Sequence, residues 1–318
     1  MKILSMSGFV PEAICDTVRF NGYKGDSGFS HYCGYASDYI SQVLADDTID
    51  GAVFPKTCDS SRSISSYLEE SGKFVYPIAV PTIRNKDSVS YFAYVIRDYN
   101  FALESFYKIK ITEDEIRERI SLIEKRKAAI SSLYEELARG LSYSSYIQAI
   151  HNALALPLSE QRIEAAGTSS GKPVFLVGSY FTSTGILDSM ESCGLKIVAD
   201  DLPESGRLTA DNDAPKTKDV FELIASSILG RHPSPTQNEY DARIAMTMLE
   251  IKMKGCKGVV FATQKYCEPY DYYYSVLKKV LDNEGIPSLR IELDGSLDQN
   301  MHESEFGAFA SVLEAHHG

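Results

Sequence analysis

The sequence predicts an α/β fold with two parallel-sheet domains joined by a helical segment. Three observations carry this. Short continuous apolar runs such as "DGAVFP" and "GVVFAT" alternate with longer helical patterns, as in parallel sheets covered by helices on both faces. That alternation stops from about Asp87 to Ala166 and resumes at Lys172. At 318 residues the chain also has room for two domains of ~100–200 residues each.

In chain order, "KILSMSG" reads as a strand, followed by a helix starting at Pro11 and another from about His31 to Ala45. The strand "DGAVFP", a helix from Ser60 to Glu70 and the strand "KFVYPIAV" complete a first domain, 1–86. The helical segment, 87–170, centres on one long helix. Thr112-Glu113-Asp114-Glu115 forms a capping box, Ile116, Ile120, Ile123, Ile130, Leu133 and Leu137 keep one apolar stripe, and Gly140 supplies the C-cap. In the third part, 171–318, "PVFLVGS", "LKIVADD", "GVVFAT" and "SLRIEL" read as strands. Helices fit around Gly185–Cys193, Val220–Leu229, Glu239–Lys254, Asp271–Asn283 and Glu303–Ala315. The stripe Tyr240, Ile244, Met248, Ile251 reads as core packing. Both sheet domains are thus expected to be Rossmann/flavodoxin-like, and the two halves carry a weak echo of strand, cysteine, helix and strand.

Composition narrows the function. A net charge of −12 argues against nucleic acid or an anionic membrane surface as partner. No apolar run reaches the ~18 residues of a membrane span, and the start lacks the features of a secretory signal, so a cytoplasmic protein is expected. "GTSSGKP" has the wrong spacing for a P-loop, and no G-x-G-x-x-G occurs; ATP hydrolysis is expected to lie in a partner.

Six cysteines, at 15, 33, 58, 193, 256 and 267, contain no C-x-x-C and are too sparse for a disulfide framework. Cys58 and Cys267 each follow a buried strand where a helix is about to begin, the edge at which open α/β sheets place ligands. A helix N-terminus favours the thiolate, and thiolates are what soft metals and iron–sulfur clusters require. Two domains facing each other could bring both to one cluster. Equally, a free cysteine is often a small buried hydrophobe, and spacing alone leaves both readings open. Cys15, Cys193 and Cys256 read as packing residues.

"DGAVFPKTCDSSR", "KIVADDLPESGR", "KGVVFATQKYCEPYD" and "IPSLRIELD", in that order, resemble the 2-hydroxyacyl-CoA dehydratase family, which includes benzoyl-CoA reductase subunits. The resemblance runs from about Val10 to Ala315. It implies a 4Fe-4S cluster held by three cysteines, matched here by Cys58 in "TCD", Cys267 in "CEP" and Cys33 in "HYCGYASDYI". It also implies ketyl-radical chemistry: one electron on a 2-hydroxyacyl-CoA thioester carbonyl expels hydroxide and acidifies the β-position. The implied partners are a homologous second subunit in a heterodimer, or a second copy in a homodimer, together with an ATP-dependent iron–sulfur activator protein. The chain departs from the family pattern at Lys56, where asparagine is frequent. A benzoyl-CoA-reductase-like or double-cubane-type reductase subunit, or a non-catalytic electron carrier, is the alternative. His31, Arg62, Tyr266 and Tyr270, all near these cysteines in sequence, are candidates to meet substrate.

Overall fold

The computed structural model describes residues 1–22, 28–29, 31–181, 183–209, 217–293 and 302–317. It contains two four-stranded, all-parallel sheets with helices around them. The first is built from β1 (Ile3–Ser5), β2 (Thr17–Arg19), β3 (Gly51–Pro55) and β4 (Phe74–Ile78), with helices α1 (Gly34–Ala45) and α2 (Asp59–Leu68) between strands. Three helices follow: α3 (Ser88–Tyr107), α4 (Glu113–Arg139) and α5 (Tyr143–Leu154). The second sheet comprises β5 (Lys172–Gly178), β6 (Leu195–Asp200), β7 (Gly258–Gln264) and β8 (Ser288–Leu293). Its helices are α6 (Gly185–Ser192), the short α7 (Gly206–Thr209), α8 (Val220–Leu229), α9 (Tyr240–Met253), α10 (Glu268–Asn283) and α11 (Glu303–His317).

The sheets share one strand order. The first runs β2-β1-β3-β4 and the second β6-β5-β7-β8, so in each the chain steps one way from the first strand and then back to the other side of it. That reversal opens a crevice beyond the carboxyl ends of the two middle strands, where ligands of such sheets sit. The strands earn central positions by composition: β3 and β7 are buried along their whole length, as strands covered on both faces must be.

The long α4 starts where Thr112 and Glu115 cap each other and ends at Gly140, whose φ of 113° suits a residue without Cβ. Its face, with Ile130, Tyr134 and Leu137, packs into the core of the second sheet together with α5, and Met248 and Ile251 of α9 join the same core. By contrast, Val220, Ile224 and Ile228 of α8 return to the core of the first sheet, and α8 lies against α3, where Arg97 sits over the Phe221 ring.

One expected element is absent. The helix from Pro11 is a single turn, with Ile14 N–H donating to the Pro11 carbonyl, and the chain then enters β2 beside β1. Thr17 and Val18 are β-branched and prefer the pleated edge of a sheet to a second helical turn. Cys15 accordingly lies buried in a turn rather than on a helix face.

Candidate functional site

Three of the six cysteines stand at helix N-caps facing one cleft. Cys33 precedes α1, Cys58 precedes α2 and Cys267 precedes α10. Cys58 and Cys267 occupy equivalent places in the two sheets, since β3 ends at Pro55 and β7 at Gln264, three residues earlier in each case. All three line both an inner cavity of about 120 Å3 and a wider outer cleft of about 690 Å3. The inner cavity is also bordered by Met6 and Ser7 beyond β1 and by Ser179 and Tyr180 beyond β5. The site therefore lies at the carboxyl edge of both sheets at once.

Local hydrogen bonds shape the turns that carry Cys58 and Cys267. The Ser61 hydroxyl accepts from the Thr57 and Cys58 amides at 3.0 and 3.1 Å and lies 3.5 Å from Cys58 Sγ. Cys267 sits between two turns: its N–H donates to the Gln264 carbonyl, and its own carbonyl accepts from Tyr270 and Asp271. Tyr266, just before it, has φ 62°, a left-handed conformation that costs roughly 1–2 kcal/mol for a residue with a Cβ. Such strain is commonly held at functional sites. Across the seam, Tyr35 stacks on Tyr180 with centroids 4.4 Å apart, and the Gly8 amide donates to Tyr180 Oη at 3.3 Å.

A helix N-terminus alone does not ionise Cys33 or Cys267. Burial pushes Cys33 up to about 11, against the Ala36 and Tyr35 amides that favour its thiolate. Burial, with Cys33 and Cys58 nearby, holds Cys267 well above the usual thiol range. A cation placed beside Cys33 and Cys267 would favour their thiolate forms. Among the described residues no group of three or more His, Cys, Asp or Glu is arranged to hold a single metal ion. The donor set still fits an iron–sulfur cluster, whose cysteines bind different irons and so stand around a volume rather than a point.

The other sequence candidates divide. Tyr270 is buried, borders the inner cavity and accepts a 2.6 Å hydrogen bond from Arg207. His31 and Tyr266 line only the outer cleft, and Tyr266 is 56% exposed. Arg62 borders neither cavity; it points to solvent and pairs with Asp59 at 3.6 Å. Of the remaining cysteines, Cys256 packs on the second core and Cys193 lies 3.5 Å from the Glu303 carbonyl, both away from the cleft.

Sequence reasoning missed the cationic wall of the inner cavity. Arg207 and Arg231 line it, with His232 beside them. Behind them Glu12 is clasped by Arg19 and Arg126, and Asp201 by Arg243 and Arg207. Burial would raise the Glu12 carboxyl, but Arg126 and Arg19 overcome it and hold it at about 2. Arginine in a sequence reads as a surface residue; the available signal was Arg243, set inside the apolar pattern of α9.

Fold and cleft define an α/β protein of two parallel sheets with a thiol-lined site at their seam. The chain belongs to the family described as 2-hydroxyglutaryl-CoA dehydratase, D-component, whose model matches residues 2–313. It is 25% identical to (R)-2-hydroxyglutaryl-CoA dehydratase, subunit beta, of Acidaminococcus fermentans, over 90% of this chain and 80% of that one. It is 22% identical to lactoyl-CoA dehydratase subunit beta of Anaerotignum propionicum, over 92% and 83%. A benzoyl-CoA reductase subunit of Thauera aromatica is 23% identical, over 77% and 70%. Among the described residues no helix is long and apolar enough to cross a membrane.

Proposed function

We propose that this chain is the iron–sulfur subunit of a 2-hydroxyacyl-CoA dehydratase, with Cys33, Cys58 and Cys267 holding one 4Fe-4S cluster. The observation that supports it is the convergence of these three thiols, and no other cysteine, on one cleft. When bound, such a cluster supplies one-electron chemistry to a thioester carbonyl. The chain's own residues do the rest. The helix N-termini present amides to the thiolates. Tyr35, Tyr180 and Tyr270 line the inner cavity with aromatic surface. The outer cleft, with His31 and Tyr266, is the side from which an acyl-CoA and an ATP-dependent activator would approach. A homologous second subunit is the expected companion, in keeping with relatives named as subunits.

Anaerobic purification with iron and sulfide counts tests the reading. About four of each per chain are expected. Cys58→Ser and Cys267→Ser should each deplete iron strongly while Cys193→Ser leaves it unchanged, and Cys33→Ser should act where Cys15→Ser does not. Full iron content in both the Cys58→Ser and Cys267→Ser proteins would defeat the assignment. Turnover of 2-hydroxyacyl-CoAs in the presence of an activator then separates a dehydratase from a reductase.

A further inference from the structure

The inner cavity has two unlike walls: thiols and tyrosine rings on one side, Arg207 and Arg231 on the other. Behind the second wall the charges do not balance. Glu12 is the single carboxylate between Arg19 and Arg126, and Asp201 is the single carboxylate between Arg207 and Arg243. Arg231 adds a fifth guanidinium. It donates to the Gly8 carbonyl at 2.6 Å and has no ion-pair partner among the described residues. Of the neighbouring acids, both oxygens of Asp200 are engaged, whereas Glu204 uses Oε1 and leaves the buried Oε2 without a partner. Glu204 meets His151 at 3.2 Å, and Asp200 accepts from the Leu202 and Gly206 amides and the Ser205 hydroxyl.

Two further groups on this cavity are buried and incompletely bonded. Arg207 is 5% exposed and its Nε has no hydrogen-bond acceptor, lying 3.5 Å from Asp201 Oδ1. Gln264 is 1% exposed and its Oε1 has no donor, so it calls for a donor group and not for the anion. Burial, with Arg19 and Arg126 nearby, pulls Arg231 down to about 10. Surplus cations in a low-dielectric site are stable only when an anion joins them. In a chain of net charge −12 this local excess is the reverse of the overall balance.

Size defines the anion. A cavity of about 120 Å3 is close to the ~150 Å3 that accepts benzene, so a ligand held wholly inside it has only a few heavy atoms. We infer that the inner cavity binds a short-chain carboxylate, with its acid group between Arg231 and Arg207 and its apolar body against Tyr35 and Tyr180. The inference goes beyond the function proposed above, because it stands on the cavity's own charges and needs no iron.

Calorimetric titration of the anaerobically purified protein with butyrate and with butyramide tests it, because the two ligands share a shape and differ in charge. A charge-assisted pair should make butyrate bind about tenfold more tightly. Arg231→Gln should bring the two affinities together, while Arg231→Lys keeps most of the preference and shows that the loss is not misfolding. Equal affinities in the unaltered protein, no binding of either ligand, or an Arg231→Gln protein with full preference would each overturn the inference. Iron and sulfide counts on the same sample keep the two readings apart. Iron-free protein that prefers butyrate defeats the cluster and keeps the anion site, whereas iron-loaded protein without preference means the arginines serve the cluster's charge instead.

Discussion

Replacing Glu12 by Gln removes the carboxylate that Arg19 and Arg126 share, leaving its shape nearly unchanged. All three side chains are buried, at 6%, 6% and 8% exposure, so solvent screens little of the effect. The Glu12 carboxyl falls from 4.5 to about 2 on folding, and at ~1.4 kcal/mol per pH unit that corresponds to about 3 kcal/mol of stability. Breaking a buried ion pair by removing one partner generally costs ~3–5 kcal/mol, a range that includes this figure. The sign follows from the direction of the shift. Folded Glu12 holds its proton less tightly than unfolded Glu12, so the contribution is complete above pH 4.5 and is lost as pH falls towards 2. Urea unfolding followed by far-ultraviolet circular dichroism at pH 7 should therefore show Glu12→Gln less stable by about 3 kcal/mol. The gap between the two proteins should close as pH falls from 4.5 towards 3. A gap below about 1 kcal/mol at pH 7, or one that does not change with pH, would refute the reasoning.

Two more expectations follow from the same structure. A Cβ added at Gly206 would lie 2.1 Å from the Asp200 carbonyl oxygen, backbone that cannot swing aside; Gly206→Ala should lower stability by at least ~1–3 kcal/mol and displace Arg207, and an unchanged urea midpoint would show the turn can relax. For the partner, native mass measurement with the homologous subunit should show a stable pair, and Tyr94 and Phe101, both 68% exposed on α3, offer apolar surface for it. A monomer that turns over substrate unaided would contradict that expectation.

Much of the fold was legible because its signals are local. In the second sheet β5, β6 and β7 carry largely apolar runs and β8 alternates polar and apolar residues, and the capping box at Thr112 with Gly140 at the other end bounded α4. The stretch from Pro11 to Arg19 failed because proline at a helix start and a β-branched strand compete over a few residues, and only the neighbouring β1 decides between them. The pattern of α8 showed an apolar face but not which core receives it. At the site, Cys58 and Cys267 stood out through the strand-to-helix junctions they share. Cys33 came only from the family resemblance, since "HYCGY" follows no strand. Arg19, Arg126 and Arg231 were invisible because their burial depends on elements far apart in the chain converging on Glu12 and Gly8.

The return of α8 to the first sheet ties the order of synthesis to the order of folding. Strands β1 to β4 and helix α3 leave the ribosome early, yet part of α3 is covered by residues 220–229. By then β5 and β6 have already been made. Domains made first usually fold first, but here the early half waits with an open apolar face while half of the next sheet is produced. During that interval the part of α3 that α8 will meet, around Arg97, faces water or a chaperone, and Cys33 and Cys58 are synthesised long before Cys267 closes the thiol set.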